Sequence, residues 1–197
     1  ALPISARNEY MIERMKRLLT RTIWALTKQL EAGDFVPVAY EMRFENGKID
    51  RVDLCKDKDK VYVKVLDYKT GSKAFDVVAL YHGLQLQLMV YMDAAVKMTQ
   101  KHYPDSEVIP AGVFYYRLND PLVEKKVVGE EEEIWQKVLK ELKVDGVMNL
   151  KDETLEHLDH CQVGESAVIP VKYNKNGSLS KNSKVASEQE FEVMMRH

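Results

Sequence analysis

The stretch VYVKVLDYK, residues 61–69, decides how this chain folds. Its valines recur at every second position, which is the pattern of a β-strand with one buried face. The same alternation places Asp67 and Lys69 on the valine face, where an unpaired charge is costly. A strand built as part of a core therefore ends in charged residues, and this combination needs a chemical reason.

Two further strands precede this stretch and complete an antiparallel meander. FVPVAYEMRF (35–44) alternates in the same way, and Asn46-Gly47 is a hairpin signal because both residues accept the positive φ of a tight turn. The returning strand KIDRVDL (48–54) then leads through the charged turn KDKDK (56–60) into the opening stretch. The sequence therefore predicts three consecutive antiparallel strands.

Helices and one more long strand surround the meander in sequence. Apolar residues recur every three or four positions over residues 8–32 and 76–100, which predicts two long helices. Residues 108–118 predict a strand that a helical crossover would place parallel to one of the first three. The remaining predicted elements are helices at 130–142 and 152–159, a strand at 167–173, and a last helix beginning at the capping box Ser187–Glu190. We expect one α/β domain over residues 1–197, with a mixed central sheet flanked by helices.

Composition narrows the range of functions. The 197 residues are 45% hydrophobic and 30% charged, as is usual for globular domains. The net charge is −2, so any nucleic-acid binding has to come from a local patch. Cys55 and Cys161 lack the paired spacing of a disulfide framework or a metal knuckle. No signal peptide and no apolar run of membrane-spanning length is apparent, so we expect a cytoplasmic protein without membrane contact.

Asp50 and Asp67 are candidate metal ligands. Alternation places Asp50 on the same face of its strand as Val52, and it places Asp67 with Lys69 on the neighbouring strand. Two carboxylates in one poorly solvated pocket repel each other unless a cation joins them, and oxygen ligands favour Mg²⁺ or Mn²⁺. The alternative is a simple salt bridge at the strand end. From spacing alone the salt bridge is favoured, because D-x-K by itself is a weak signal.

Two helices carry further candidate residues. Gln87 and Tyr91 lie four positions apart and would face the same side of the second helix, although Tyr91 also fits its buried stripe. A basic stripe on the first helix consists of Arg14, Arg17, Arg21 and Lys28. This stripe is either a solvated surface, which is the interpretation that we favour, or a face that contacts DNA phosphates.

Six blocks of sequence, in order, resemble the RecB-like branch of the PD-(D/E)xK nucleases. GKIDRVD, VLDYKTGSKAFD and YHGLQLQLMVYMDA carry the motifs G-x-I-D, D-Y-K-T-G and Q-x-x-x-Y of that branch. VPVAYEMRF, IPAGVFYYRLNDP and GSLSKNSKVAS fall at matching places. The resemblance runs from about Tyr10 to the end, and it is closest to the C-terminal nuclease domains of the AddB-type chains in AddAB helicase–nucleases.

The resemblance implies a fold and an activity. The fold would be a restriction-endonuclease-like core. The activity would be that of a DNA exonuclease that depends on Mg²⁺ or Mn²⁺ and acts on double-stranded ends and single strands during double-strand break repair and recombination. Its partner would be an AddA-type helicase subunit. The complete set of two aspartates and one lysine favours an active nuclease over a module that keeps only the fold.

The resemblance also implies roles for individual residues. The implied metal ligands are the carboxylates of Asp50 and Asp67 and the backbone carbonyl of Tyr68. Lys69 would orient the attacking water or stabilise charge on the phosphate. Gln87 and Tyr91 would position the DNA backbone or support the site. Glu41 matches a glutamate of the family, although alternation places it on the more polar face of its strand.

Two features of the family have no counterpart in this sequence. A G-x-x-H motif, whose histidine joins the metal site in the family, is absent, and the nearest histidines are His82 and His102. Cys55 and Cys161 match none of the positions that hold the family's 4Fe-4S cluster, which we therefore expect only in a full-length parent. The chain is either a piece of a larger helicase–nuclease subunit, which its abrupt ends favour, or a degenerate relative that binds DNA ends without cleaving them.

Overall fold

The computed structural model describes residues 6–45, 47–70, 75–76, 86–121 and 131–196. The described strands are Val36–Phe44 (β1), Gly47–Asp57 (β2), Lys60–Lys69 (β3), Glu107–Arg117 (β4), Asp145–Asn149 (β5) and Val185–Ala186 (β6). The described helices are Ala6–Glu31 (α1), Gln87–His102 (α2), Glu131–Glu141 (α3), Asp152–Leu158 (α4) and Glu188–Arg196 (α5). Within these ranges, no helix combines the length and the apolar character that crossing a membrane requires.

All six strands form one mixed sheet in the order β1-β2-β3-β4-β5-β6. The predicted meander is confirmed, because β1, β2 and β3 pair antiparallel, with Phe44 opposite Gly47 at the first hairpin. Asn46, in the predicted turn, lies outside the described residues. β4 pairs parallel with β3, as predicted for the strand after the crossover. β5 then pairs antiparallel with β4, and β6 pairs parallel with β5.

The sheet separates two hydrophobic clusters and so forms the middle of three layers. The first cluster lies under α1, α3 and α4 and is built from strand residues such as Tyr62, Leu66, Phe114 and Tyr116. The second lies under α2 and α5 and is built from strand residues such as Val61, Val63, Val65 and Val113. The alternation predicted for residues 61–69 is therefore confirmed, because the valines share one face and Tyr62 and Leu66 share the other.

Strict alternation is wrong for β1. The predicted common face includes Val36, Val38 and Tyr40, whose side chains are exposed in this structure. Met42 and Phe44, predicted for the same face, instead pack against the second cluster. The pairing with β2 shifts between Pro37 and Ala39, and Glu41 has a positive φ of 51°. Such an irregularity changes which face the following side chains occupy.

Alternation also breaks in β2, next to a candidate site residue. Ile49 and Val52 lie in the same cluster although they are three positions apart. Asp50 therefore does not simply continue the apolar face of Val52, as predicted. The first residue of β2 that pairs with β3 is Arg51, opposite Leu66, so Asp50 lies where the two strands separate.

The C-terminal third agrees with the predictions only in part. The predicted strand at 167–173 is wrong, because the described residues there form only isolated bridges, and β5 is a strand that the sequence does not predict. The helices predicted at 130–142 and 152–159 are confirmed. The capping box is also confirmed, because the Glu190 carboxylate accepts the Ser187 backbone N–H at 2.7 Å while Ser187 Oγ accepts the Glu190 N–H at 3.3 Å.

The two long predicted helices are confirmed over their described residues. Of the helix predicted at 76–100, residues 87–100 lie in α2, whereas residues 77–85 lie outside the described part. α1 packs mainly through its C-terminal half, where Ala25 is buried and Trp24 stacks on Trp135 with ring centres 4.7 Å apart.

Candidate active site

Asp50, Asp67 and Lys69 meet where β2 and β3 separate. Nζ of Lys69 lies 2.6 Å from Oδ2 of Asp67. The Asp50 carboxylate accepts a hydrogen bond of 2.8 Å from the backbone N–H of Tyr68, the residue between Asp67 and Lys69. The structure thus brings together the two carboxylates and the lysine that the sequence singles out.

The electrostatics of this group reflect burial and close charges. Only 4% of Asp67 is exposed. Burial raises the pKa of Asp67, the Lys69 ammonium offsets part of that effect, and the neighbouring Asp50 carboxylate adds to it. Burial lowers the pKa of Lys69, but Asp67, with smaller effects of Tyr115 and Tyr91, reverses the direction, so the net shift is upward. Lys69 is therefore an ammonium beside a carboxylate that its surroundings solvate poorly.

One oxygen of Asp67 receives no hydrogen bond. Oδ2 is buried, and no donor among the described residues is aligned with it, although Nζ of Lys69 is close enough for an ion pair. A buried polar atom without a partner costs free energy, and a bound cation would remove that cost. Carboxylate oxygens at this position match the ligands preferred by Mg²⁺ and Mn²⁺. The residues present therefore fit a divalent metal ion.

Residues of α2 hold Lys69 in place. Nζ of Lys69 donates to Oε1 of Gln87 at 3.3 Å, and Nε2 of Gln87 donates to the hydroxyl of Tyr91 at 2.6 Å. The Tyr91 ring is buried and meets the Phe44 ring edge-on, with centres 5.7 Å apart. Gln87 and Tyr91 thus lie on the same side of the helix, and together they restrain the ammonium group beside Asp67.

Two other predicted residues have a different relation to this group. The Glu41 side chain is exposed and pairs with Lys48 at 2.8 Å, and this contact holds the pKa of Glu41 below its usual value. The structure does not bring Glu41 to the aspartates. Tyr68 takes part through its backbone, because its ring lies on the opposite face, edge-on to Tyr116. Its carbonyl as a metal ligand stays a prediction.

The basic stripe of α1 is largely occupied by acidic partners. Arg17 and Arg21 both contact Asp120, at 3.3 and 2.5 Å, and Lys28 pairs with Glu31 at 2.6 Å. Arg14 is exposed. These pairs favour the solvated-surface interpretation, and contact of the stripe with DNA stays a prediction.

Three side chains that the sequence patterns do not single out border the site: Tyr115, Arg117 and Lys184. The parallel register places Arg117 opposite Lys69, and Nζ of Lys69 lies 5.2 Å from the centre of the Tyr115 ring. Arg117 and Lys184 both contact Asp145. The register of a parallel β4 is the signal that could have found Tyr115 and Arg117. Lys184 comes from a distant loop and has no such signal.

The described residues place no histidine in this group. His157 and His160 both contact Asp34, in another part of the fold, and His102 is the last residue of α2. His82 lies outside the described residues. The missing G-x-x-H motif therefore has no substitute among the residues that the structure describes.

The sequence matches a known family over most of its length. The profile of the PD-(D/E)XK nuclease superfamily matches residues 1–166. The chain belongs to this superfamily. The D-x-K part of the superfamily's designation corresponds to Asp67-Tyr68-Lys69, which the structure places at the end of β3. The six-stranded mixed sheet with helices on both faces is the restriction-endonuclease-like α/β fold that the sequence predicts.

Similar curated proteins are named as AddB-type chains of an ATP-dependent helicase/deoxyribonuclease. The one from Lachnoclostridium phytofermentans is 42% identical, over 96% of this chain and 18% of the relative. Those from Clostridium novyi and Thermoanaerobacter sp. (strain X514) are 36% and 31% identical, over 98% and 100% of this chain and 19% of each relative. The chain thus spans about a fifth of the length of these relatives.

Proposed function

We propose that this PD-(D/E)XK domain hydrolyses phosphodiester bonds of DNA with Mg²⁺ or Mn²⁺. The observation that carries the proposal is the buried Asp67, whose Oδ2 lacks a hydrogen-bond donor while Lys69 and Asp50 lie beside it. The name of the relatives, helicase/deoxyribonuclease, supports DNA as the substrate. We further propose that the domain acts as an exonuclease on DNA ends in double-strand break repair and recombination, within a complex that contains an AddA-type helicase subunit.

The carboxylates of Asp50 and Asp67, with the backbone carbonyl of Tyr68, would hold the metal ion. When bound, such an ion makes a water molecule nucleophilic near neutral pH and stabilises charge on the phosphoryl oxygens. The Asp67 oxygen that receives no hydrogen bond supplies the free ligand position. Because Asp50 already accepts one backbone hydrogen bond, its carboxylate is fixed in orientation before a metal binds.

Lys69 contributes a positioned positive charge. Gln87 and Tyr91 restrain its ammonium group, so little reorganisation is needed when negative charge develops on the phosphate. In this proposal Lys69 orients the attacking water or contacts a phosphoryl oxygen. Arg117, opposite Lys69 on β4, extends the positive surface along the path of the DNA backbone.

Degradation of end-labelled linear duplex DNA by the full chain in Mg²⁺ tests the proposal. Asp67→Asn and Lys69→Met should each lower the rate roughly 10²–10³-fold, because each removes a group that stabilises the transition state. Asp93→Asn is the matched control, since Asp93 is an α2 acid in a surface pair with Lys97 at 2.7 Å, and it should retain the wild-type rate. Wild-type cleavage by Asp67→Asn would show the proposal to be wrong. Closed circular DNA should resist degradation if the activity is exonucleolytic.

A second candidate function is a module that binds DNA ends without cutting them. The observation in its favour is that no histidine among the described residues joins Asp50 and Asp67. This candidate predicts retention of linear DNA by the wild-type chain in Mg²⁺, no shortening of the DNA, and no change of DNA affinity in Asp67→Asn.

A further inference from the structure

A second group of potential metal ligands lies at the hairpin end of β2 and β3, away from Asp50 and Asp67. Three segments meet there: the connection between α1 and β1, the last residues of β2, and the C-terminal end of α4. They contribute one carboxylate oxygen of Asp34, Sγ of Cys55 and one ring nitrogen of His157. All three atoms lie within 4.8 Å of one another. Ligands of one tetrahedral metal ion are separated by slightly shorter distances, so small side-chain movements would suffice.

Further contacts enlarge this group. Nδ1 of His157 lies 2.8 Å from Oδ2 of Asp34, and Nε2 of His160 lies 2.9 Å from Oδ1 of the same carboxylate. Nε2 of His157 is 3.8 Å from the Asp57 carboxylate. Cys55 is buried, whereas the Asp34 and His160 side chains are about half exposed, so an ion can reach the group from solvent.

The backbone holds these segments together without any metal. The backbone N–H of Asp34 donates to the His157 carbonyl at 2.8 Å, and that of His160 donates to the Ala32 carbonyl at 2.8 Å. Gly33 permits this approach, because a Cβ there would lie 2.3 Å from the His157 carbonyl oxygen. The ligand-bearing segments are therefore preorganised, and a metal would not have to assemble them.

The donor types indicate which metal suits the group. Thiolate sulfur with imidazole nitrogen is the donor set of Zn²⁺ and other borderline transition metals, whereas Mg²⁺ and Ca²⁺ prefer oxygen alone. An ordinary ion pair explains why the histidines contact Asp34. It does not explain why a buried thiol lies within 4.8 Å of both the carboxylate and the imidazole.

We propose that Asp34, Cys55 and His157 form a zinc site, with His160 as the fourth ligand. The site is separate from the Asp50–Asp67 group in position and in ligand chemistry, and the proposal does not depend on nuclease activity. On binding, the Cys55 S–H bond breaks, the proton passes to solvent and a sulfur–zinc bond forms. The ion would join the α1–β1 connection, β2 and α4, and so stabilise the side of the sheet that α1, α3 and α4 cover.

Cobalt binding tests the proposal, because Co²⁺ replaces Zn²⁺ in such sites and is coloured. The full chain, under reducing conditions, should bind one Co²⁺ with a thiolate-to-cobalt charge-transfer band, which Zn²⁺ abolishes and excess Mg²⁺ does not. Cys55→Ala should lose the band. Cys161→Ala is the matched control, since Cys161 is an exposed free thiol, and it should keep the band. Absence of the band in the wild-type chain, its survival in Cys55→Ala or its loss in Cys161→Ala would overturn the proposal.

Zinc-dependent thermal stability provides a second test that does not require substitution of a buried residue. At about 100 times its dissociation constant, zinc should raise the melting temperature of the wild-type chain by roughly 5–10 °C. Asp34→Asn and His157→Gln, at positions that reach solvent, should lose most of that increase. Asp50→Asn/Asp67→Asn should keep it. An increase that persists in the first two variants, or disappears in the double variant, would place zinc elsewhere and contradict the proposal.

Discussion

Two groups of buried charge lie on the same two strands, one on each face of the sheet, and their carboxylates differ in how completely they are paired. On the face of the first cluster, Arg51 donates two hydrogen bonds to Asp53, at 2.6 and 2.8 Å, and Nζ of Lys64 lies 3.0 Å from the same carboxylate. On the other face, Oδ2 of Asp67 has the Lys69 ammonium nearby but receives no hydrogen bond from the described residues.

The difference separates a structural charge from a chemically available one. A fully buried ion is tolerated when its partners satisfy every oxygen or proton, as they do around Asp53. Asp53 then has no ligand position left. Asp67 keeps such a position at the end of a strand, where a substrate can arrive. Burial of a charged residue alone therefore does not identify a site, whereas incomplete pairing of a buried carboxylate does.

The largest expected contrast is in stability. Asp53→Asn should lower the free energy of unfolding by about 3–5 kcal/mol, because Arg51 and Lys64 would remain buried without their counter-charge. Asp67→Asn should change it by no more than about 1 kcal/mol in the absence of metal, because the substitution also removes repulsion from Asp50. Urea unfolding monitored by circular dichroism measures both values. Equal destabilisation by the two substitutions would remove the distinction between the groups.

The two lysines extend the contrast to activity. Lys69→Met should lower the DNA cleavage rate roughly 10²–10³-fold with little loss of stability. Lys64→Met should leave the cleavage rate unchanged and lower the free energy of unfolding by about 1–3 kcal/mol, because one contact to Asp53 is lost. Rates and unfolding free energies measured on the same preparations test this reciprocal pattern. A cleavage defect in folded Lys64→Met would show that the first face of the sheet also serves catalysis.

The sequence predicts the central strands because their burial follows a simple local period. β3 keeps that period along its length, and its last two members on the valine face are Asp67 and Lys69. The same period predicts the position of Asp50, but β2 does not keep it there, since Ile49 and Val52 share a cluster. Asp50 reaches Tyr68 only because β2 and β3 separate there, which is a property of the pairing and is invisible in either strand alone.

The C-terminal third could not be predicted because long-range packing and side-chain hydrogen bonds decide its structure. β5 has five residues, and a Cβ at Gly146 would lie 1.9 Å from the Val113 carbonyl oxygen, so the strand depends on close approach to β4. Residues 167–173 show a strand-like pattern, but Oγ of Ser166 accepts the backbone N–H groups of Val168 and Ile169, both at 3.1 Å. Local bonds of this kind compete with sheet pairing.

The helix residues behind Lys69 should have a smaller effect than the lysine itself. Tyr91→Phe removes the hydroxyl that accepts from Gln87, and Gln87→Ala removes the oxygen that accepts from Lys69. We expect each to lower the cleavage rate roughly tenfold, because a restrained ammonium is better placed than a mobile one. Single-turnover rates at saturating DNA separate this effect from weaker binding. If DNA affinity falls while the single-turnover rate holds, Gln87 and Tyr91 contact DNA and do not position Lys69.

Glu41 provides the smallest and most discriminating expectation. It matches a glutamate of the family, yet its side chain is 73% exposed and pairs with Lys48 on the surface of the hairpin. Exposed pairs of this kind contribute about 0–1 kcal/mol, so Glu41→Gln should change neither the unfolding free energy by more than that nor the cleavage rate. Lys48→Gln is the matched control for the loss of the pair. A cleavage defect in Glu41→Gln but not in Lys48→Gln would show that an exposed carboxylate can serve this site, and incomplete pairing of a buried one would no longer be sufficient to identify its acidic residues.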